Sequence, residues 1–491
     1  MSTANGFLSR VTFKLRSPLM LALITLCEVI GGLVLIAPDY PVMPWVASAA
    51  LAALGVIGLV RLMGVADFAT PWSVLCVSYS LAYGLGTLNS FMSGYSSGLD
   101  LLALTYAPTD VISQVLGGLL MLSGVLLLIG ELDANKLVPV VELSPLDAQM
   151  VQLVLLGTLV LSVVAVATGQ LGFQTDMKAE EGSFRVSALS NLMSSAMPPM
   201  VATGFYCARG MSTRQRLLTF AMAGAIMLIL MTQGRRIVIY TAVMAVIGYF
   251  SAQGLKSIFK PKGLLVLFVT GVLVFSAAKM FFAMRQATYD LPKGFSVVEL
   301  AQAGFKKLSG DAQADLDEKL KENQATRTFI LGYAAEILYG LERHDPVGGG
   351  LMELGIATAV PTLIWPGKWK IMAQGSEENI CNPKLGIPPW DAANSLLTSG
   401  LCDFGWYGFY AYPLFFSLLF SLTIFAFKKL PVVPRMVYGF GLIFSLLNAE
   451  SVITGYFVMV RNGVILVIIM TLLHQLVLAY NRRNGLYATA R

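Results

Sequence analysis

Apolar residues fill windows of about 20 positions along most of the chain, and shorter polar stretches separate these windows. A helix of about 20 residues is as long as the hydrocarbon core of a bilayer is thick. Such windows occur at 18–37, 42–63, 68–88, 112–130, 150–171, 187–207, 216–233, 236–253, 263–284, 403–427, 434–455 and 462–480. The pattern therefore predicts an all-α polytopic membrane protein with about 12 transmembrane helices.

The composition indicates the same class of protein. Of the 491 residues, 56% are hydrophobic and only 13% are charged, which is far too apolar for a soluble globular domain. The formal net charge of +6 falls in segments that flank membrane helices, so it is no argument for nucleic acid as a partner.

Lysine and arginine predict the orientation, because cytoplasmic connections are enriched in both. With the N-terminus in the cytoplasm, the inside connections hold clusters such as Lys428 and Lys429, whereas the outside connection 89–110 holds no Lys or Arg. We therefore expect both termini in the cytoplasm and the one long hydrophilic segment outside. The predicted organisation is membrane helices 1–9 in residues 1–284, a large extracytoplasmic loop in 285–402, and membrane helices 10–12 in 403–491.

The adjacent Arg235 and Arg236 interrupt an apolar run over residues 215–252. One helix over this run would be about 57 Å long, nearly twice the thickness of a hydrocarbon core of about 30 Å. We therefore expect a hairpin with "TQGRR" as its extracytoplasmic corner. An arginine at mid-membrane would cost roughly 2.5–3.5 kcal/mol on insertion scales, and most of this cost vanishes at the interface.

Cations from distant parts of the sequence are predicted at this same outer face. They are Arg235, Arg236, Lys279, Arg285, Arg327, Arg343, Lys368 and Arg461. The planar donor fork of arginine matches the oxygens of a phosphate, so these residues favour a lipid-linked phosphate or pyrophosphate as ligand. The alternative for each residue is a membrane anchor or a salt-bridge partner, and it applies most to Lys279 and Arg343.

The long loop contains a predicted helix and the candidate acid–base residues. Apolar residues recur with helical period at Phe329, Ile330, Tyr333, Ala334, Ile337 and Leu338. His344 and Asp391 are the candidate general bases. Histidine is a common general base, and His344 lies beside the turn "GGG", while Asp391 precedes the tenth membrane helix. The other acidic residues of the loop are expected to be mostly solvated.

Cysteine spacing shows no metal motif, and we expect neither a metal nor a cofactor. Cys381 and Cys402 share the long loop. If that loop faces an oxidising compartment, a disulfide between them is predicted.

Several motifs, taken in their order along the chain, resemble those of the O-antigen polymerase, or oligosaccharide repeat-unit polymerase, family. The resemblance covers roughly residues 232–420 and lies in "GRR", "TRTFILGYAAEIL", "PVGGG", "VPTLIWPGKWK" and "IPPWDAANSLLTSGLCDFGWYGFYAYPLFFSLLF". It implies a fold like that of the integral-membrane GT-C glycosyltransferases. It also implies an enzyme of the bacterial inner membrane that joins undecaprenyl-pyrophosphate-linked oligosaccharides at the outer leaflet, with the large loop in the periplasm.

The resemblance also implies roles for individual residues. Arg235 or Arg236, Arg285 and Arg327 would hold the pyrophosphate, and Lys368 matches a lysine that often follows the Trp-Pro pair. The chain departs from the family before "FGWYG", where relatives often have a glutamate and this chain has "LLTSG". The resemblance therefore does not identify the general base. The implied partners are a lipid-linked glycan donor and acceptor, membrane lipid and a chain-length regulator protein.

Two other functions are kept as alternatives. A related O-antigen ligase would transfer finished polymer to another acceptor, and His344 in the long loop is compatible with it. A lipid-linked oligosaccharide flippase is the alternative outside enzymes. It is disfavoured because alternating access requires no loop of about 118 residues on one side.

Overall fold

The computed structural model describes residues 18–65, 68–92, 107–139, 143–167, 188–230, 235–291, 297–308, 313, 330–388 and 393–483. The side chains of residues 188–195, 235, 236, 297 and 298 lie outside this description. Nearly all of the described chain is helical, and no strand occurs in it.

In chain order, the helices up to the long loop are α1 (Pro18–Ile36), α2 (Met43–Gly64), α3 (Pro71–Tyr79), α4 (Gly86–Met92), α5 (Thr109–Leu132), α6 (Pro145–Ala167), α7 (Ala188–Cys207), α8 (Thr213–Leu230), α9 (Arg235–Ser251) and α10 (Pro261–Ala287). The later helices are α11 (Val297–Lys307), α12 (Leu331–Leu341), α13 (Gly350–Ala359), α14 (Trp369–Met372), α15 (Glu377–Leu385), α16 (Leu396–Phe404), α17 (Trp406–Phe427), α18 (Val432–Leu447) and α19 (Ile453–Arg483). A π-helical stretch, Ser80–Leu85, joins α3 to α4.

Eight of these helices are long and apolar enough to cross a membrane: α1, α2, α5, α6, α8, α10, α17 and α19. The prediction of an all-helical, multi-pass membrane protein is thereby confirmed. Helix α5 lies at the centre, with 72% of its apolar window buried, whereas α10 lies at the periphery with 6% buried. The difference follows from the neighbours: among the described residues, α5 packs on α1, α2, α3 and α12, whereas α10 packs mainly on α9 and α11.

The last two helices have different limits from those predicted. Helix α18 ends at Leu447, and α19 begins at Ile453 and continues without a break through Arg461, which we had expected in a connection. The interruption lies earlier because Asn448 forms a turn in which its side chain donates a hydrogen bond to Ser451 Oγ, 2.9 Å away. The first turns of α19 pack on α13.

The tenth predicted window contains a reversal of the chain. Gly405, with φ of 61°, separates the short helix α16 from α17. The two helices then pack so closely that a Cβ atom on Gly408 would lie 1.9 Å from the carbonyl oxygen of Gly400. Only glycine allows this backbone approach, and α16 is consequently buried along its length from Leu396 to Asp403.

The predicted helix of the long loop is part of the core, and Phe329 lies outside the described residues. Ile330, Tyr333, Ala334, Ile337 and Leu338 are all buried, as their period predicts. Helix α12 is in fact buried on nearly every side, because it lies between α5, α15 and α16.

Candidate functional site

The turn "GGG" and Asp403 fix the start of α13. Gly348 and Gly349 have φ values of 81° and 95°, a left-handed region that favours glycine. The backbone N–H groups of Leu351 and Met352 then donate to the Asp403 carboxylate at 3.0 and 2.9 Å. An acidic group at a helix N-terminus is stabilised by the helix dipole, so Asp403 anchors α13 to α16.

The other end of α13 brings together two of the predicted cations. Lys368 Nζ donates to the carbonyl oxygen of Val360 at 2.6 Å. Arg461 donates through Nη1 to the carbonyl oxygen of Thr358 at 3.1 Å and through Nε to Asn462 Oδ1 at 3.1 Å. Cations at a helix C-terminus satisfy its free carbonyl groups. Capping the C-terminus of α13 is therefore one role of Lys368 and Arg461.

The two cations keep donors for a further ligand. A guanidinium has five N–H donors and an ammonium three, so the hydrogen bonds above leave about three on Arg461 and two on Lys368. Within the described ranges, neither residue forms a salt bridge. Lys368 is only 5% exposed, and burial, followed by the nearby charge of Arg461, lowers its pKa. A buried cation without a counterion is costly, which makes this place favourable for an anion.

The position of Arg461 along α19 indicates its depth. Arg461 and Arg482 are 21 residues apart on this helix, a rise of about 32 Å. A hydrocarbon core is about 30 Å thick. If Arg482 lies at one membrane surface, Arg461 therefore lies at the other.

A cavity of about 200 Å³ with a mixed polar and apolar lining lies next to Arg461, between α7, α18 and α19. Its lining includes Asn462, the hydrogen-bond partner of Arg461, together with Ser445, Asn448 and Ser451. Asn448 Oδ1 is buried and has no hydrogen-bond partner among the described residues. The polar side chains of this lining suit a ligand that carries hydroxyl groups.

The helix that begins with the two adjacent arginines reaches the same cavity. The rings of Tyr240 on α9 and Phe444 on α18 meet edge to face with centroids 6.3 Å apart, and Phe444 lines the cavity. Arg236 precedes Tyr240 by four residues, about one helical turn. The backbone of Arg235 and Arg236 thus begins α9 near the cavity, while their side chains lie outside the description.

An apolar groove of about 820 Å³ lies on the other side of α9. Helices α8, α9 and α10 form its walls, and Phe305 and Leu308 close one end. Met280 is the last residue of α10 in its lining, and Arg285 follows five residues later in the final turn of α10. Arg285 is half-buried, and no salt bridge of its side chain occurs in the part of the chain that the structure describes.

A buried carboxyl group lies where α15, α16 and α19 meet. Glu377 is 4% exposed and accepts hydrogen bonds from Thr398 Oγ1 at 2.6 Å and from Ser399 Oγ. Ser399 Oγ in turn accepts from the backbone N–H of Ile453 at 3.3 Å, at the start of α19. Burial raises the pKa of Glu377 to about 8, assisted by the charges of Glu378 and Asp403 and opposed by the two hydroxyl donors.

Cys381 and Cys402 form a disulfide, with Cα atoms 6.0 Å apart, as the sequence predicts. The bond joins α15 to α16. Glu377 and Thr398 each precede a bridged cysteine by four residues, about one helical turn. The disulfide therefore places Glu377 and Thr398 side by side.

The remaining predicted residues lie elsewhere or cannot be placed. Asp391 and Arg327 lie outside the described residues. His344 is exposed, and its Nε2 lies 3.2 Å from where a Cβ atom on Gly386 would stand. It is not among the residues that line the cavity beside Arg461.

Sequence reasoning did not identify Asp403, and it counted Glu377 among the loop acids offered for acid–base chemistry without expecting its burial. We expected the acids of the loop to be mostly solvated, but Glu336 and Glu377 are buried. The helical spacing to Cys381 was a signal for Glu377, because residues one turn before each bridged cysteine lie side by side once the disulfide forms. The role of Asp403 depends on the reversal at Gly405, which the window pattern did not show.

The chain has the architecture of an all-helical, multi-pass membrane protein with a polar cavity and two cations at one level of its bundle. Comparisons with models of protein families, with curated proteins and with solved structures find no match.

Proposed function

We propose that the protein is a glycosyltransferase that polymerises oligosaccharide repeat units carried on undecaprenyl pyrophosphate. The observation that carries the proposal is the convergence of Lys368 and Arg461, from separate segments, beside a partly polar cavity whose lining residue Phe444 contacts α9. Their free donors suit the oxygens of a pyrophosphate. The resemblance stated above points to the same substrate.

The apolar groove supports a substrate with an isoprenoid chain. It runs between α8, α9 and α10, and its lining is almost wholly apolar. In our proposal the carrier chain lies in this groove and its pyrophosphate lies at the outer end of α9 and α10, near Arg235, Arg236 and Arg285. Arg327 would belong to the same cluster.

The proposed reaction forms one glycosidic bond and breaks one bond to phosphate. An acceptor hydroxyl attacks the anomeric carbon of the donor, the bond from that carbon to the pyrophosphate breaks, and the hydroxyl proton passes to a base. The arginines and Lys368 would stabilise the charge that develops on the departing pyrophosphate. His344 and Asp391 remain the candidate bases. No nucleotide sugar is required, because the pyrophosphate already activates the donor.

We further propose twelve membrane crossings in a GT-C-like arrangement. Besides the eight long helices, the continuous helix Pro71–Met92 together with α7, α9 and α18 would cross. In this arrangement both termini lie in the cytoplasm of a bacterium, the protein is in the inner membrane, and the loop is periplasmic. The positive-inside pattern of the connections supports this orientation.

The direct test is transfer by the full-length protein in nanodiscs, supplied with undecaprenyl-pyrophosphate-linked repeat units. A ladder of lipid-linked oligomers is the expected product. Transfer only to a different acceptor would favour the ligase. Movement of the substrate across vesicles without any new glycosidic bond would favour the flippase, and either result would overturn the polymerase.

A further inference from the structure

A second cavity, of about 390 Å³, lies where α5 and α17 end and α18 begins. Ligand sites typically enclose about 300–1,000 Å³, so the cavity is large enough for a small polar group. The walls are held closely together, because a Cβ atom on Gly439 would lie 1.8 Å from the carbonyl oxygen of Leu137. This end of the bundle is opposite to the one at which Ile453 begins α19.

Three cations line this cavity: Lys136, Lys428 and Arg435. Arg435 donates through Nη1 to the carbonyl oxygen of Lys428 at 2.9 Å, which holds its guanidinium across the turn between α17 and α18. Its Nε is buried and has no hydrogen-bond partner within the described ranges. The hydrogen bond to Lys428 therefore fixes a guanidinium group in the lining of the cavity.

No carboxylate of the described residues neutralises Lys428 or Arg435 in a salt bridge. The positive-inside rule accounts for cations at this level. The rule does not explain why three cations line one cavity, or why the Arg435 guanidinium in that lining has a buried Nε.

Apart from Tyr438, the rest of the lining is apolar and indicates the kind of anion. Ile424 and Phe427 at the end of α17, and Leu137 and Pro139 opposite, surround the cations. A free phosphate ion would leave these apolar walls exposed to water, whereas a phospholipid covers them with its glycerol and the start of its acyl chains. Basic pockets between membrane helices are suited to anionic headgroups.

We propose that this cavity binds the phosphodiester headgroup of an anionic phospholipid. Lys428 and Arg435 contact the phosphate, Lys136 adds positive charge, and the acyl chains leave along α17. Tyr438 lines both this cavity and the one beside Arg461, but the three cations of this site do not line the latter, so the site does not rest on the proposed transferase reaction.

The test is native mass spectrometry of the full-length protein with equal amounts of phosphatidylglycerol and phosphatidylcholine of matched chains. The wild-type protein should retain phosphatidylglycerol preferentially. Lys428→Gln should lower its retention about fivefold, the usual contribution of one cation near a membrane surface. The matched control is Lys429→Gln, which removes the same charge at the adjacent exposed position outside the lining and should retain as much lipid as the wild type.

Lys136→Gln is a second variant, and it leaves the turn between α17 and α18 intact. It should also lower retention of phosphatidylglycerol. Equal losses in Lys428→Gln and Lys429→Gln would overturn the proposal, since they would show attraction by surface charge alone. Displacement of the lipid by millimolar inorganic phosphate, with phosphate taking its place, would overturn it in favour of a free-phosphate site.

Discussion

Lys368 and Arg461 donate hydrogen bonds to carbonyl groups only two residues apart, those of Val360 and Thr358, at the C-terminus of α13. One cation comes from the loop and the other from the last membrane helix. Their meeting defines the level at which the described loop joins the bundle. It also concentrates positive charge there, which the proposed pyrophosphate would neutralise.

Replacing Arg461 by Gln should slow glycan transfer by about 10- to 100-fold. A hydrogen bond to a charged group contributes roughly 1.5–3 kcal/mol, and this one would act on the leaving group. Lys368→Met should have a comparable effect. Product formation by the purified variants is the measurement. Lys370→Gln is the matched control, because Lys370 is exposed. Equal rates in all variants would remove these cations from the site.

Substitution of both Arg235 and Arg236 by Ala should abolish chain growth while the protein still inserts and folds. The reason is the proposed contact of this corner with the pyrophosphate. The readout is the ladder of lipid-linked glycan in cells that lack the wild-type gene. The matched control is the double substitution of Arg482 and Arg483 by Ala, at the other end of α19. Normal ladders in the first double variant would contradict the pyrophosphate assignment.

Gly408→Ala should strongly destabilise the hairpin of α16 and α17. The added Cβ would overlap the Gly400 carbonyl group, and overpacking typically costs about 1–3 kcal/mol. Thermal unfolding in detergent measures the effect. Gly271→Ala is the control in α10, where an added Cβ has no atom within 4 Å. The packing interpretation fails if the two variants unfold at the same temperature.

Removal of the disulfide by the double substitution of Cys381 and Cys402 with Ala should lower the free energy of unfolding by about 3 kcal/mol. This is the loop-closure value for a bond with sequence separation 21. A reducing agent should lower the melting temperature of the wild-type protein to a similar degree. The same agent should leave the double variant unchanged, and a further decrease there would indicate a different origin.

Glu377 should make the stability of the protein depend on pH. Its folded-state pKa of about 8 lies above the ordinary value of 4.5, so the folded state binds the proton more tightly than the unfolded state does. The stabilisation is present below about pH 4.5 and is lost as the pH rises through 8. Melting temperatures between pH 5 and 8.5 should therefore fall as the pH rises. Glu377→Gln should flatten this slope, while the exposed control Glu353→Gln should retain it.

The sequence determined the class of the protein and much of its helical content. Apolar windows alone located most of the membrane helices, because a bilayer requires long apolar segments whatever their neighbours are. The helical period of α12 and the pairing of Cys381 with Cys402 were also predictable. Both depend on residue type and spacing.

Only the tertiary structure decided which polar groups meet. The partners of Glu377, the anchoring of α13 by Asp403 and the pairing of Lys368 with Arg461 all join segments that are far apart in the chain. They depend on the reversal at Gly405 and on the extension of α19 above the bilayer. Hydrophobicity specifies that a segment is buried, but it does not specify its neighbours. The neighbours of a segment are determined by close backbone contacts, such as that of Gly400 with Gly408.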